Sequence, residues 1–227
     1  MKKLVLPLMI LVSLAATAQT KTELQKHFEK YYTQMKQQGD IQGVINAMTH
    51  LEVMTPSQAR RDTLAYIYVS EGRNLEALNT IGIEKTASDS DINTEVKAIA
   101  LAALNESAKA LEFYEVLFQR KPNAYLAYEI ADLKLQTNDL AGAKEKIEYG
   151  LANVKDDMKR TYYETQQPYQ TTLKAALTYL KAIMIFNEDQ TNNIEKAIAT
   201  LTHALAMDPN FNLAKISKEA LLARKKE

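Results

Sequence analysis

Residues 194–211, IEKAIATLTHALAMDPNF, place Ala197, Leu201, Ala204 and Leu205 at i, i+4, i+7 and i+8 and then stop at Pro209. That spacing puts the four side chains on one face of a helix, and the two alanines let a neighbouring backbone come close. The predicted partner is another helix. Apolar stripes of the same period recur upstream in LQKHFEKYYTQMKQQGD, ARRDTLAYIYVSEGR, NTEVKAIALAALNES and AYLAYEIADLKLQTND. Each runs into a turn-former, Gly39, Gly72, Asn105 or Asn138, and each of these lies 33 residues after the last. Five positions beyond each stands a small or β-branched residue, Val44, Ala77, Ala110 and Ala143, the offset that also separates Asn192 from Ala197. Pro56, Pro122 and Pro209 fall 17 residues after the turn-former of their own unit, closing second helices such as AKALEFYEVLFQRKP, since proline cannot continue a helix. Every period therefore predicts a helical hairpin, and the chain an all-α fold.

These residues resemble the tetratricopeptide repeat (TPR), a unit of about 34 residues with two antiparallel helices, a small residue early in the second helix and a closing proline. By that resemblance the fold is an all-α, TPR-like helical-hairpin solenoid of about five repeats plus a C-terminal capping helix. Units run over about 25–57, 58–90, 91–123 and 124–157, with a fifth from about 175 to 211. Ala65, Ala98, Ala131 and Ala182 keep the crossing of first helices small, whereas Tyr32 stands there in the first unit and Asp89 and Lys155 replace the closing proline in two others. The last helix, NLAKISKEALLARKKE, is predicted to cover the fifth repeat with Leu213, Ile216 and Ala220. Between units four and five the phase slips, and residues 158–174 form an inserted, tyrosine-rich segment. Its Tyr162, Tyr163 and Tyr169 are candidate partner contacts, because amphipathic aromatics are enriched where interfaces hold most tightly; the alternative is a helix extension or loop that packs them locally.

The amino terminus changes the picture of where such a scaffold would work. MKKLVLPLMILVSLAATAQT joins Lys2 and Lys3 to an apolar run and an A-x-A site ending at Ala18, the signature of a secretory leader over residues 1–18. Repeats one to four then occupy residues 19–157, the insert 158–174, and the fifth repeat with its cap 175–227. Export to the periplasm or medium is expected, with no stable membrane span after cleavage. Cysteine is absent, which excludes both a lipid anchor at the cleavage site and any disulfide. Removing the leader takes two lysines from a balance of 28 basic and 28 acidic residues, leaving a chain too near neutrality for a nucleic-acid binder.

Candidate chemistry is sparse. His27, His50 and His203 share no zinc spacing, and the sequence has no P-loop, dinucleotide-binding glycine pattern or nucleophile elbow. No enzyme activity, metal or cofactor is expected. Glu145 and Glu148 read as a solvated helix face, and Lys146 as solvent-facing. In the TPR family the first helices line a concave groove that holds an extended or helical peptide. Carried over, the resemblance places Glu29, Thr33 and Lys36 there from unit one, Asp62, Tyr66 and Val69 from unit two, and Glu95, Ile99 and Ala102 from unit three. Units four and five supply Tyr125, Tyr128, Asp132 and Leu135, then Tyr179, Ile183 and Phe186. Glu29, Thr33, Asp62 and Tyr66 stand where chaperone-binding members carry lysine and asparagine for a terminal carboxylate, so that clamp is missing. The candidate protein-binding residues are thus Tyr66, Ile99, Tyr125, Tyr128, Asp132, Tyr179, Ile183 and Phe186. They suit a hydrophobic or mixed segment of a partner protein. The expected function is a non-catalytic scaffold or adaptor of the bacterial cell envelope; the alternative is a structural subunit that self-associates or joins a larger envelope assembly.

Overall fold

A computed structural model of the chain describes residues 5–225, with side chains from Thr22 onward. The leader expected over residues 1–18 lies outside the described side chains, and its Lys2 and Lys3 outside the described chain. No described helix is long and apolar enough to cross a membrane. The chain divides after Glu84 into two compact units.

The first unit contains α1 (Val5–Gln38), α2 (Ile41–Met54), α3 (Gln58–Ser70) and α4 (Asn74–Ile81). The second contains α5 (Asp91–Ala103), α6 (Ser107–Arg120), α7 (Ala124–Gln136) and α8 (Leu140–Asn153), then strands β1 (Lys159–Tyr162) and β2 (Tyr169–Thr172), and finally α9 (Leu173–Glu188), α10 (Ile194–Met207) and α11 (Asn212–Arg224). Consecutive helices pair as hairpins, and α11 lies against α10.

The same local chemistry makes four of the turns. Gly39, Gly72, Asn105 and Asn138 all take positive φ, between 60° and 71°. This is the left-handed conformation that glycine adopts freely and asparagine tolerates best among the other residues. Around each, two backbone bonds close the helix end: Asp139 N to Lys134 O at 2.8 Å and Asn138 N to Leu135 O at 3.1 Å, with equivalents at the other three. Asp40 and Asp139 then cap the next helix by accepting from Gly43 N and Gly142 N. The fifth turn is built differently: Asn192 is not left-handed, and the Asp189 carboxylate accepts from the Thr191 and Asn192 amides while Asn193 donates to Ile185 O.

Small residues sit where helices cross. Ala65 and Ala77 in the first unit, and Ala98, Ala110, Ala131, Ala143, Ala182 and Ala197 in the second, are all fully buried. Gly150 lets α8 approach α9: a Cβ there would stand 2.7 Å from Leu177 Cδ2. The first unit's core joins Met35, Val44, Ile45, Met48 and Leu64. The second unit's largest core runs through α7, α8 and α9 to Phe211 and Leu221.

Several expected placements are corrected. Residues 159–172 are neither helix extension nor plain loop but an antiparallel strand pair in register Arg160↔Thr171 and Tyr162↔Tyr169, and α9 begins at Leu173. The capping face of α11 is Leu213, Ala214 and Leu221; Ile216 is 53% exposed and Ala220 faces solvent, because the helix is rotated relative to the predicted stripe. Lys146 is buried, its ammonium 3.5 Å from Glu115 and 4.1 Å from the centre of the Phe118 ring. Its long aliphatic stem lets it lie inward while its charge finds a carboxylate.

Candidate functional site

In the second unit the first helices α5, α7 and α9 carry most of the nominated binding residues, and their fates differ. On α7, one turn of helix separates an open position from a closed one. Tyr125 is 43% exposed, whereas Tyr128 is 3% exposed and its hydroxyl shares a 2.8 Å hydrogen bond with that of Tyr162 from β1. Tyr128 and Tyr162 are core residues here, each covered by the other, so with the strand pair in place neither is open to a partner. Burial pushes the Tyr162 phenol up to about 12, and raises that of Tyr128 well above its ordinary value.

β1 places its side chains on this face because strand residues two apart point the same way. Arg160 and Tyr162 both face α7. The Arg160 guanidinium pairs with Glu129 through both carboxylate oxygens and stacks 4.1 Å from the Tyr128 ring centroid. Burial works against that charge, but Glu129, Tyr128 and Tyr162 together more than offset it, so the guanidinium is held protonated. Asp132, one turn further along α7, has Gln136 as its donor at 3.2 Å. Burial and then the Glu129 carboxylate hold Asp132 above its usual value, against the pull of Arg160.

The residues of α9 are also covered by the chain itself. Tyr179 is half-buried, 5.3 Å from Phe211 between ring centroids and bonded to Ser217 of α11. Phe186 lies beneath Arg224, 5.2 Å from its guanidinium carbon. Ile183 packs on the same core as a half-buried side chain. Tyr162 stacks on Tyr169 with centroids 5.6 Å apart, Phe211 lies tilted against them at 5.2 and 6.5 Å, and the Tyr169 hydroxyl accepts from Leu213 N at 3.4 Å. Of the insert's tyrosines only Tyr163, 76% exposed, is open to solvent.

What stays open lies at the start of α7. A cleft of about 420 Å³ has Leu117 and Leu126 among its lining side chains, Tyr125 at its mouth, Arg120 and Lys121 as basic groups and Glu95 as an acidic one. Arg120 already holds Asp91 at 2.9 Å across a solvated pair. Ile99, half-buried on α5, lies one turn from Glu95. In the first unit Tyr66 is 48% exposed on α3, while Asp62 is buried and accepts from Gln58 at 2.7 Å. A separate cleft there stacks Phe28 on His50 at 4.2 Å and Arg73 on Tyr68 at 4.6 Å.

Arg120, Lys121, Glu129 and Arg160 were not nominated from the sequence. The first two precede Pro122 at a helix end, and Arg160 sits in KRTYY, a β-branched and aromatic string whose strand propensity was the available signal. Among the described residues no group of histidine, cysteine or carboxylate side chains is arranged to hold a metal.

No family model matches the sequence, and no curated protein matches it. Solved structures do resemble it. A tetratricopeptide repeat protein from Parabacteroides merdae superimposes with a TM-score of 0.64 at 15% identity, over 87% of this chain and 72% of that one. A thermophilic TPR protein from Thermus thermophilus gives a TM-score of 0.50 at 13% identity, over 88% of this chain and 99% of that one. The fold is therefore that of the tetratricopeptide repeats, an all-α array of helical hairpins.

Proposed function

We propose that this chain is a non-catalytic protein-interaction scaffold of the bacterial cell envelope, exported by its leader, which holds a segment of a partner protein beside its first helices. The repeat fold supports a scaffold, since its stacked hairpins expose long helix faces and the sequence brings no recognised catalytic pattern. The observation that carries the reading is the cleft at Tyr125. An exposed aromatic beside the buried Leu117 and half-buried Leu126, with the exposed Arg120, Lys121 and Glu95 lining the same cleft, combines the covered apolar and exposed charged groups of a protein-binding site.

The test is crosslinked capture from the organism's own envelope fraction with wild-type and Tyr125→Ala protein. A partner retained by the wild type should be lost on substitution, by about 2 kcal/mol or more of binding if Tyr125 is an anchor. Equal capture by both proteins would reject this site. Concentration-dependent self-association in sedimentation, with no retained partner, would instead favour a structural subunit.

A further inference from the structure

The α7–α9 face beneath the hairpin is complementary to its occupant in charge and hydrogen bonding. It presents two carboxylates one helical turn apart, Glu129 and Asp132, and the buried tyrosine Tyr128. Against them the hairpin sets one cation and one aromatic ring, Arg160 and Tyr162, spaced two residues apart on an extended strand. We propose that this face is a protein-binding surface for a partner's extended segment bearing an arginine and an aromatic residue two positions apart, and that the hairpin is its resident occupant. The proposal rests on the reading of the chain as an interaction scaffold and adds a second surface to it, distinct from the Tyr125 cleft.

Three features make the occupant exchangeable. The ends of the hairpin are cross-strand partners, Lys159 with Thr172, so the segment can swing away without separating α8 from α9. It consists of two strands of four residues, and a lone two-stranded hairpin is at best marginally stable. Its docked face also has a flaw: Arg160 Nε and Thr171 Oγ1, on directly opposed residues, are both buried without a hydrogen-bond partner. Unmet buried polar groups weaken the docked state, so a segment that meets the same carboxylate and hydroxyl without that flaw can compete. The cost of opening lowers the partner's apparent affinity by the fraction of molecules in the open state.

The probe is a synthetic peptide of residues 158–173, the chain's own hairpin sequence, titrated calorimetrically. The full chain with Arg160→Ala and Tyr162→Ala should bind it, and wild-type chain about tenfold or more weakly, because its face is filled. Glu129→Lys in the double variant, or Arg160→Glu in the peptide, should abolish binding. A folded double variant that ignores the peptide overturns the proposal, as does binding indifferent to both charge reversals. Hydrogen exchange on the wild-type chain gives an answer that needs no variant to fold. Amides of β1 and β2 should exchange ahead of those of α7 and α9, and exchange only together with those helices overturns exchangeability. Because the peptide reads this face directly, its failure is separate from failure of the Tyr125 capture test.

Discussion

The helices α5 and α9 hold equivalent places in their hairpins, yet one keeps its outward face and the other loses it to the same chain. On α5, Glu95 is exposed and lines an open cleft, and Ile99 one turn further on is half-buried. On α9, Tyr179 is roofed by Phe211 and Phe186 by Arg224. The neighbouring elements in sequence make the difference. α5 leads into another plain hairpin, whereas α9 lies between an inserted strand pair and a closing helix, both of which contribute side chains to its core. An aromatic at a repeat's face position is thus a recognition residue or a packing residue according to what is inserted nearby.

The largest effect should come from removing the roof. Phe211 is fully buried where the tyrosines of the hairpin and of α9 meet, so Phe211→Ala should cost about 3–5 kcal/mol in denaturant unfolding. A loss near zero would mean the α9 face is open after all. Next, Gly150→Ala should cost about 1–3 kcal/mol by driving a Cβ against the buried Leu177, on the α8 side that holds α9 in place. Tyr128→Phe should cost about 1–3 kcal/mol, because it leaves the buried Tyr162 hydroxyl without its partner.

A smaller effect carries a sign in pH. The folded protein holds Asp132 above its ordinary value, so its ionised form is worse in the folded state than in the unfolded one. The resulting destabilisation is absent below the unfolded-state value, develops as pH rises toward the folded-state value, and is complete above it. Asp132→Asn should therefore raise the melting temperature at pH 7 and change it little near pH 3. The smallest stability effect belongs to the open side: Tyr125→Ala should stay within about 0.5 kcal/mol in the same denaturant series.

The period of the scaffold was readable because backbone geometry demanded it. Only glycine or asparagine fits comfortably at the four left-handed positions, and only small side chains fit where helices cross, so both recur at fixed spacing. The fifth turn keeps an asparagine in phase at Asn192 but does not use it in the left-handed conformation, because the Asp189 side chain closes that turn instead. The fates of Tyr128, Tyr162 and Lys146 were not readable, for they depend on partners distant in sequence: 34 residues separate the two tyrosines, and 31 separate Glu115 from Lys146. Periodicity tells which side of a helix a residue occupies, but not what the chain later lays over that side.

The packed rings around Phe211 have an optical consequence. The sequence contains 12 tyrosines and no tryptophan, so the near-ultraviolet dichroism of the folded protein belongs to tyrosine and phenylalanine alone. Such signals arise from rings fixed in an asymmetric setting and vanish when packing loosens. Tyr162, Tyr169, Tyr179 and Phe211 form one such setting, with two of the rings supplied by the strand pair. Lifting the strands would dim that band while the far-ultraviolet helix signal stayed whole, giving the protein an unlabelled spectroscopic gauge of its own insert.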